Sequence, residues 1–409
     1  MTSYVVTKCI LSIAFTCLLT SCFASDLDEG SCKHKRHTHH HHKKSDDSSG
    51  IENAESPRQK GAVDASDLLS EVDESCESSG IKAIPQETPE QARAKVKTVR
   101  ILEIDGGAMR GIMPAVVLRE IEKRTEKSIA ESFHLVGGTS IGCLLTAGLT
   151  IPSDDNPQKP KWKAEKLIEL LRNEAPKVFK LRLWGSIYNT PALEDISLKY
   201  CGNKTFDQSV IPTVGITFDC LSAKTKTVCS WEYDEIFRTQ DVMLASSAVP
   251  AIFTPRFLYP VNFNASINSK YLVADGFLGA NNSSALLIAQ AKKLFPNAEK
   301  FEVVSLGNGI IKDPLYYKLI RGTLTAGNYA LKLFDLGLNI VSSEPDEYMQ
   351  SILNGQYTRI NPIVVYGSGG PFDTSKSNLD GLEKDTMIYL EENEKYFGPL
   401  IERLKKPKD

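Results

Sequence analysis

Gly138-Thr139-Ser140-Ile141-Gly142 is the stretch that decides the fold. A G-x-S-x-G run lets a strand turn sharply into a helix and holds the serine hydroxyl at the apex of the turn. Phe133-His134-Leu135-Val136 reads as the buried strand leading in, and Cys143-Leu144-Leu145-Thr146-Ala147 as the helix leading out. Ser140 then stands at a helix N-terminus. There the N–H of Ile141 and the positive end of the helix dipole face any negative charge that develops beside the serine.

Upstream, Asp105-Gly106-Gly107-Ala108-Met109-Arg110-Gly111 follows the apolar run Val99–Ile104. It precedes a helix predicted to open at Pro114 and to continue through Val116, Val117, Leu118 and Ile121. This second strand-turn-helix puts the N–H groups of Gly107 and Ala108 in front of the same serine. A dinucleotide loop is the competing reading, but it needs glycines at relative positions one, three and six. Here they fall at one, two and six, which weighs against it.

A serine nucleophile needs a neighbour to take its proton, and histidine is the usual one. His34, His37, His39, His40, His41 and His42 all lie in a polar N-terminal stretch, which leaves His134. It precedes Ser140 on the entering strand, at a distance of roughly 20 Å for about 3.3 Å per residue. The base is then expected to be a carboxylate. Asp275 has the best setting, since a strand-like Tyr271-Leu272-Val273-Ala274 delivers it to a turn at Gly276. A turn-forming aspartate before glycine is the alternative reading of that pair.

These residues resemble the patatin-like phospholipases, in the bacterial branch of that family. The resemblance spans roughly residues 97 to 400. Beyond the two catalytic motifs it rests on Ala245-Ser246-Ser247-Ala248-Val249-Pro250-Ala251-Ile252-Phe253-Thr254-Pro255, which is similar to the family's S-A-x-P-x-x-F-x-P block. It rests also on Val304-Ser305-Leu306-Gly307-Asn308-Gly309 and on Asn281-Asn282 after the aspartate turn. The resemblance implies a lipid acyl hydrolase on a three-layer α/β/α sandwich with a mainly parallel central sheet. It implies a Ser140–Asp275 dyad, an oxyanion loop of Gly106, Gly107 and Ala108, and Arg110 fixing the shape of that loop. Asp105, Gly111, Gly138, Gly142 and Gly276 are the supporting motif positions. Neither a metal nor an organic cofactor is implied.

Three positions depart from the family pattern. Ala108 replaces a glycine, which is costly only if that residue takes a positive φ. Phe277 sets a large ring beside the expected base. His134 stands where relatives carry aspartate, a change read as structural.

The 409 residues, with 41% apolar content, suffice for one large α/β domain plus extensions, and a formal charge of −3 gives no basis for nucleic-acid binding. Residues 1–24 read as an export signal, with Lys8 ahead of an apolar core, Cys9–Leu19, too short to span a bilayer. Leu19-Thr20-Ser21-Cys22 resembles a bacterial lipobox, with lipidation at Cys22 favoured over ordinary cleavage after Ala24. The expected location is outside the cytoplasm, on a membrane or secreted.

Residues 25–96 are too polar to fold alone and read as a disordered tether to a domain at 97–405. Their run from His34 to Lys44 offers loose Zn²⁺ or Ni²⁺ ligands, or basic charge beside anionic head groups. Cys220 and Cys229 flank an expected hairpin around Ala223-Lys224-Thr225-Lys226-Thr227, where a disulfide is one option among several, Cys143 and Cys201 being also available. Trp162, Phe179, Leu181, Leu183, Trp184 and Ile187 sit in a mainly helical stretch, read as packing on the sheet in preference to covering a lipid cleft. The segment 315–340 is open to the same two readings.

Phospholipid or another acyl lipid is the expected substrate and a membrane surface the expected partner; nothing in the sequence names an activating factor. The rival reading is a lipid-binding protein that keeps the fold with little catalysis.

The lipobox reading is tested by fractionation. Buried acyl chains contribute about 0.8 kcal/mol per CH₂, so Cys22→Ala should release the protein from membranes or block its maturation. A mature N-terminus at Ser25 with unchanged membrane association would refute it.

Overall fold

The computed structural model describes residues 87–180, 186–250, 252–262, 270–311, 326–367 and 369–408. The expected signal, Cys22, the histidine run, Leu181, Leu183, Trp184 and part of 315–340 lie outside the described residues. The unit described here begins at Thr88.

Strand β1 (Thr98–Ile104) shows how the layers are set. Its Val99 and Ile101 bury on one face of the sheet and its Leu102 and Ile104 on the other. Such two-sided burial belongs to a central strand covered by helices on both faces.

In chain order the helices are α1 (Pro89–Lys95), α2 (Ile112–Thr125), α3 (Ile129–Ser132), α4 (Ile141–Thr150), α5 (Ala164–Val178) and α6 (Thr190–Cys201). They are followed by α7 (Thr239–Ser246), α8 (Ser284–Leu294), α9 (Ala326–Leu353), α10 (Lys376–Glu392) and α11 (Glu394–Lys405). Helix α1 ends the segment read as a disordered tether. A capping box between Thr88 and Gln91 starts it, with Pro89 in its first turn, and Val96 just beyond it joins the core.

The remaining strands are β2 (Leu135–Thr139), β3 (Thr213–Asp219), β4 (Lys224–Cys229), β5 (Arg256–Leu258), β6 (Tyr271–Asp275), β7 (Lys300–Leu306) and β8 (Tyr357–Ile360). The sheet runs β5-β6-β3-β2-β1-β7-β8, with β4 also paired to β3. From β3 to β8 the neighbours are parallel, while β4, β5 and β6 are added antiparallel. Helices α2, α4, α5, α10 and α11 cover one face. The other face is covered by α8 and by Met349 of α9. The chain therefore folds as an α/β/α sandwich.

Register places the chemistry. Ile104 lies opposite Gly138, so β1 and β2 end side by side and deliver Asp105 and Ser140 to the same carboxyl edge. Strand β6 runs antiparallel to β3 with Asp275 opposite Thr217, while Ile216 lies opposite Thr139. Asp275 therefore meets the elbow across β3.

Several boundaries differ from the sequence reading. The helix after the glycine loop opens at Ile112, preceded by a 3₁₀ turn at Ala108–Gly111, and Pro114 sits inside its first turn. The hairpin turn lies at residues 220–223, so Lys224–Thr227 are strand. Cys229 pairs with Val214 at the far end of that hairpin, whereas Cys220 adjoins the turn, so the two thiols cannot meet. Cys143, Cys201, Cys220 and Cys229 are all free.

The elbow depends on near contact between backbones. A Cβ on Gly142 would overlap the Ile104 carbonyl oxygen, and one on Gly138 would lie 2.6 Å from that same oxygen. Both obstacles are main chain and cannot swing aside. Gly142→Ala should therefore lower stability by about 3 kcal/mol, the upper end for overpacking. Gly148→Ala, in the same helix, meets only the flexible end of the Leu167 side chain, with Cδ2 nearest at 2.9 Å, and should stay within about 1 kcal/mol of the parent. Urea midpoints of the two variants check the contrast.

Candidate active site

Ser140 follows β2 directly and precedes the first residue of α4, with φ 55° and ψ −122°. For a residue with a Cβ this is a strained conformation, of the order of 1–3 kcal/mol. Surrounding bonds hold it there. The Ser140 N–H donates to Ser246 Oγ at 2.8 Å, and Ser246 donates in turn to the Ile216 carbonyl at 2.6 Å. The elbow is thus tied through the end of α7 to β3. Thr139 Oγ1 donates to the Ala280 carbonyl at 2.7 Å, which ties β2 to the turn after Asp275.

Asp275 is fully buried at the end of β6, and its Oδ1 accepts the Phe277 N–H at 2.9 Å. Oδ2 is buried with no hydrogen-bond partner of full geometry. The Ser140 hydroxyl lies close enough to the carboxyl to act on its titration. Burial raises the carboxyl from 3.8 to about 7, and the bonds from Phe277 and Ser140 only partly oppose it. In hydrolases generally, such contacts between a hydroxyl and its base are often long at rest and tighten with substrate bound.

The glycine loop is fastened differently from expectation. The Gly106 N–H donates to Asn281 Oδ1 at 3.1 Å, and the Gly106 carbonyl accepts from Asn281 Nδ2 at 3.1 Å and from Asn308 Nδ2. Gly106 is therefore a fixed point of the loop, and its N–H is not available to an oxyanion. Among the described residues the N–H groups of Gly107 and Ala108 donate to no protein group. Ile141, at the first position of α4, presents a helix-terminal N–H beside them. Ala108 takes φ 49°, the case in which alanine costs more than glycine.

Arg110, expected to shape the loop, is buried, and its own N–H donates to the Gly107 carbonyl at 3.1 Å. Gly111 packs against the Ile141 side chain. The strongest clamp is Arg359, which the sequence reading missed. Its two terminal nitrogens donate to Asp105 Oδ1 at 3.0 Å and Oδ2 at 2.6 Å, and Nη1 also donates to Ser305 Oγ at 2.7 Å. Glu103 lies beneath, fully buried, accepting the Ser283 N–H at 3.0 Å. Burial and the neighbouring Asp105 hold its pKa well above the usual carboxylate range, against the pull of Arg359. The signal for this cluster was a charge in each of two strands, Glu103 in β1, which also carries Arg100, and Arg359 as the one charge of β8.

His134 is committed elsewhere. Its Nδ1 accepts the Arg100 N–H at 3.0 Å, and its ring meets Phe295 edge-on at 6.0 Å. That bond fixes a neutral tautomer at the foot of β2. Phe277 turns its ring into a buried cluster with Val178, Tyr188, Val249, Phe253 and Leu338. A cavity of about 160 Å³ opens from Ser140, Asp275 and the loop residues 106–109, walled by α4, α5 and α6. The helices read as plain packing thus also wall this cavity. Among the described residues no cluster of His, Cys, Asp or Glu could hold a metal ion, and no helix is long and apolar enough to cross a membrane.

A family model described as patatin-like phospholipase matches residues 102–287, a span holding the loop, the elbow and Asp275. The chain carries a patatin-like domain over that span. Patatin-like protein 2 of Oryza sativa subsp. indica is 27% identical over 76% of this chain and 88% of its own length. Patatin-like protein 1 of Arabidopsis thaliana is 25% identical, covering 70% and 80%. A protein of Solanum tuberosum named probable inactive patatin-3-Kuras 1 is 27% identical, covering 67% and 81%. These relatives are plant proteins, so the family holds without the expected bacterial branch. Among solved structures, VipD from Legionella pneumophila aligns with a TM-score of 0.31 at 12% identity, over 72% of this chain and 67% of that one. The class of chemistry that this patatin-like domain suggests is lipid acyl hydrolysis.

The raised pKa of Asp275 sets a pH dependence. A base works deprotonated, so kcat/KM for an ester should rise with pH and reach half its plateau near pH 7. Stability should move the other way. The folded pKa lies above the unfolded value, so the carboxyl's contribution is fully present below about pH 4 and lost as pH rises through about 7. Asp275→Asn should remove that part of the decline, which denaturation from pH 4 to pH 8 would reveal.

Proposed function

We propose that this chain is an exported phospholipase A-type acyl hydrolase that cleaves carboxylic esters of phospholipids or related lipids at a membrane surface. One juxtaposition carries the reading: a strained serine at a helix N-terminus faces a buried carboxylate at the head of an apolar cavity.

Ser140 Oγ attacks the ester carbonyl carbon as Asp275 Oδ2 takes its proton. The N–H groups of Gly107, Ala108 and Ile141 stabilise the tetrahedral oxyanion. The C–O bond to the alcohol breaks, and the leaving oxygen takes the proton from Asp275. Water then attacks the acyl-serine, giving its proton to Asp275, and collapse of the second intermediate returns that proton to Ser140 as the fatty acid leaves. Export and anchoring rest on residues 1–24 and on Cys22.

A second reading, lipid binding with little turnover, is favoured by one feature, the positive φ of Ala108 in the oxyanion loop. Hydrolysis of a p-nitrophenyl ester by the purified protein separates the two. On the first reading Ser140→Ala and Asp275→Asn each lose at least about three orders of magnitude in kcat/KM. His134→Gln stays within about tenfold per folded molecule. Near-normal turnover in either dyad variant, or a folded His134→Gln protein as inactive as Ser140→Ala, would sink the assignment.

A further inference from the structure

The cavity has a direction that can be read from its walls. Its lining follows α4 from Ser140 through Leu144 and Gly148 to Ile151. From Ser140 to Ile151 that is about 16 Å at 1.5 Å per residue. Helix α5 runs the opposite way along the facing wall. A Cβ on Gly148 would touch Leu167 near the start of α5, while Val178 at its end clusters with Phe253 and with Phe277 beside Asp275. The cavity is thus a channel along α4, apolar for most of its length.

At the far end stand two rings. Trp162 meets Tyr200 edge-on, with centroids 6.2 Å apart, and packs in the same cluster as Ile151 and Cys201. The Lys161 N–H donates to the Ile151 carbonyl at 2.8 Å, which fixes Trp162 to the end of α4. Tyr200 is held too: its hydroxyl donates to Glu174 Oε1 at 2.8 Å. Lys177 donates to the other oxygen of that carboxylate at 2.6 Å.

We propose that Trp162 and Tyr200 form the end-stop of a single acyl-chain channel and so determine the longest acyl group this chain accepts. Glu174 acts as a positioning residue that holds the Tyr200 ring across the channel. The proposal rests on the hydrolase reading above. An extended acyl chain covers the channel with roughly a dozen carbons, at about 1.25 Å per C–C bond along its axis. Substrates of laurate length fit inside the stop and those of palmitate length reach beyond it.

The test is a chain-length profile with p-nitrophenyl butyrate, laurate and palmitate, read as ratios within each protein so that the folded fraction cancels. In the parent, kcat/KM climbs from butyrate to laurate and falls at palmitate. Each accommodated methylene is worth roughly fourfold, the equivalent of about 0.8 kcal/mol. Trp162→Ala should raise the palmitate-to-laurate ratio at least tenfold. Leu144→Phe, which narrows the channel near Ser140, should lower the laurate-to-butyrate ratio at least tenfold. Unchanged ratios in these variants would overturn the end-stop.

Calorimetric binding of laurate and palmitate to the same proteins separates the two failures. If no ester is turned over but Trp162→Ala still shifts affinity toward palmitate, the hydrolase reading falls and the channel stands. If esters are cleaved and neither ratio nor affinity moves, the end-stop alone is wrong.

Discussion

The approach of α4 to the end of β1 is the constraint on which the site depends. Gly138 and Gly142 let the Ile104 carbonyl oxygen come closer to the elbow than any side chain would permit. That proximity leaves Ser140 no ordinary backbone conformation, and the strain stays because it is over-determined. The Ser246 bridge to Ile216, the Thr139 bond to Ala280 and the helix continuing from Ile141 each oppose relaxation. The same approach puts the Ile141 N–H beside the free donors of Gly107 and Ala108. A group of backbone N–H donors beside Ser140 and the strained conformation of the serine itself are therefore two consequences of one packing event.

Around that elbow the charged groups are arranged by burial more than by pairing. Among the described residues no cation contributes to the titration of Asp275, and its pKa rises because water is excluded from it. Asp105, only a few residues from the same site, is instead gripped through both oxygens by Arg359. The two carboxylates take different roles for that reason. One is raised to about 7, where it can exchange a proton; the other is held by a guanidinium and ties the glycine loop to β8. A buried pair of this kind is weak as a source of stability. Its effect is to fix the first residue of the loop, from which the positions of Gly107 and Ala108 follow.

What the sequence revealed follows from the range over which each feature is determined. The elbow, both neighbouring strands and Asp275 were legible because glycine spacing and apolar runs act within a few residues. The α/β/α layering followed from strand and helix order. The role of Gly106 was misjudged because Asn281, far along the chain, occupies its N–H. Arg359 lies 254 residues from Asp105 and had no local signal beyond a charge in a short strand. The Cys220–Cys229 option came from placing the turn a few residues late, and register then set the two thiols at opposite ends of the hairpin. The cavity was underestimated because packing helices and cavity walls have the same amphipathic pattern. Leu167, for example, belongs both to the core and to the channel.

The apolar surroundings of the base and the walls of the channel are continuous. Phe277, Val249, Phe253 and Leu338 pack together next to Asp275 and also line the space that opens from Ser140. Any chain lying in that space displaces water from the same surface whose dryness raises the Asp275 pKa. Occupancy and basicity are then coupled through solvent exclusion, with no moving part required. On the proposed reading, a longer acyl group filling the channel would strengthen the electrostatic contact between Ser140 and Asp275 by lowering the local dielectric. On that reading the apolar length of the substrate would bear on the proton transfer itself as well as on binding, and Phe277, which the sequence placed as a large ring beside the expected base, is the residue through which the two meet.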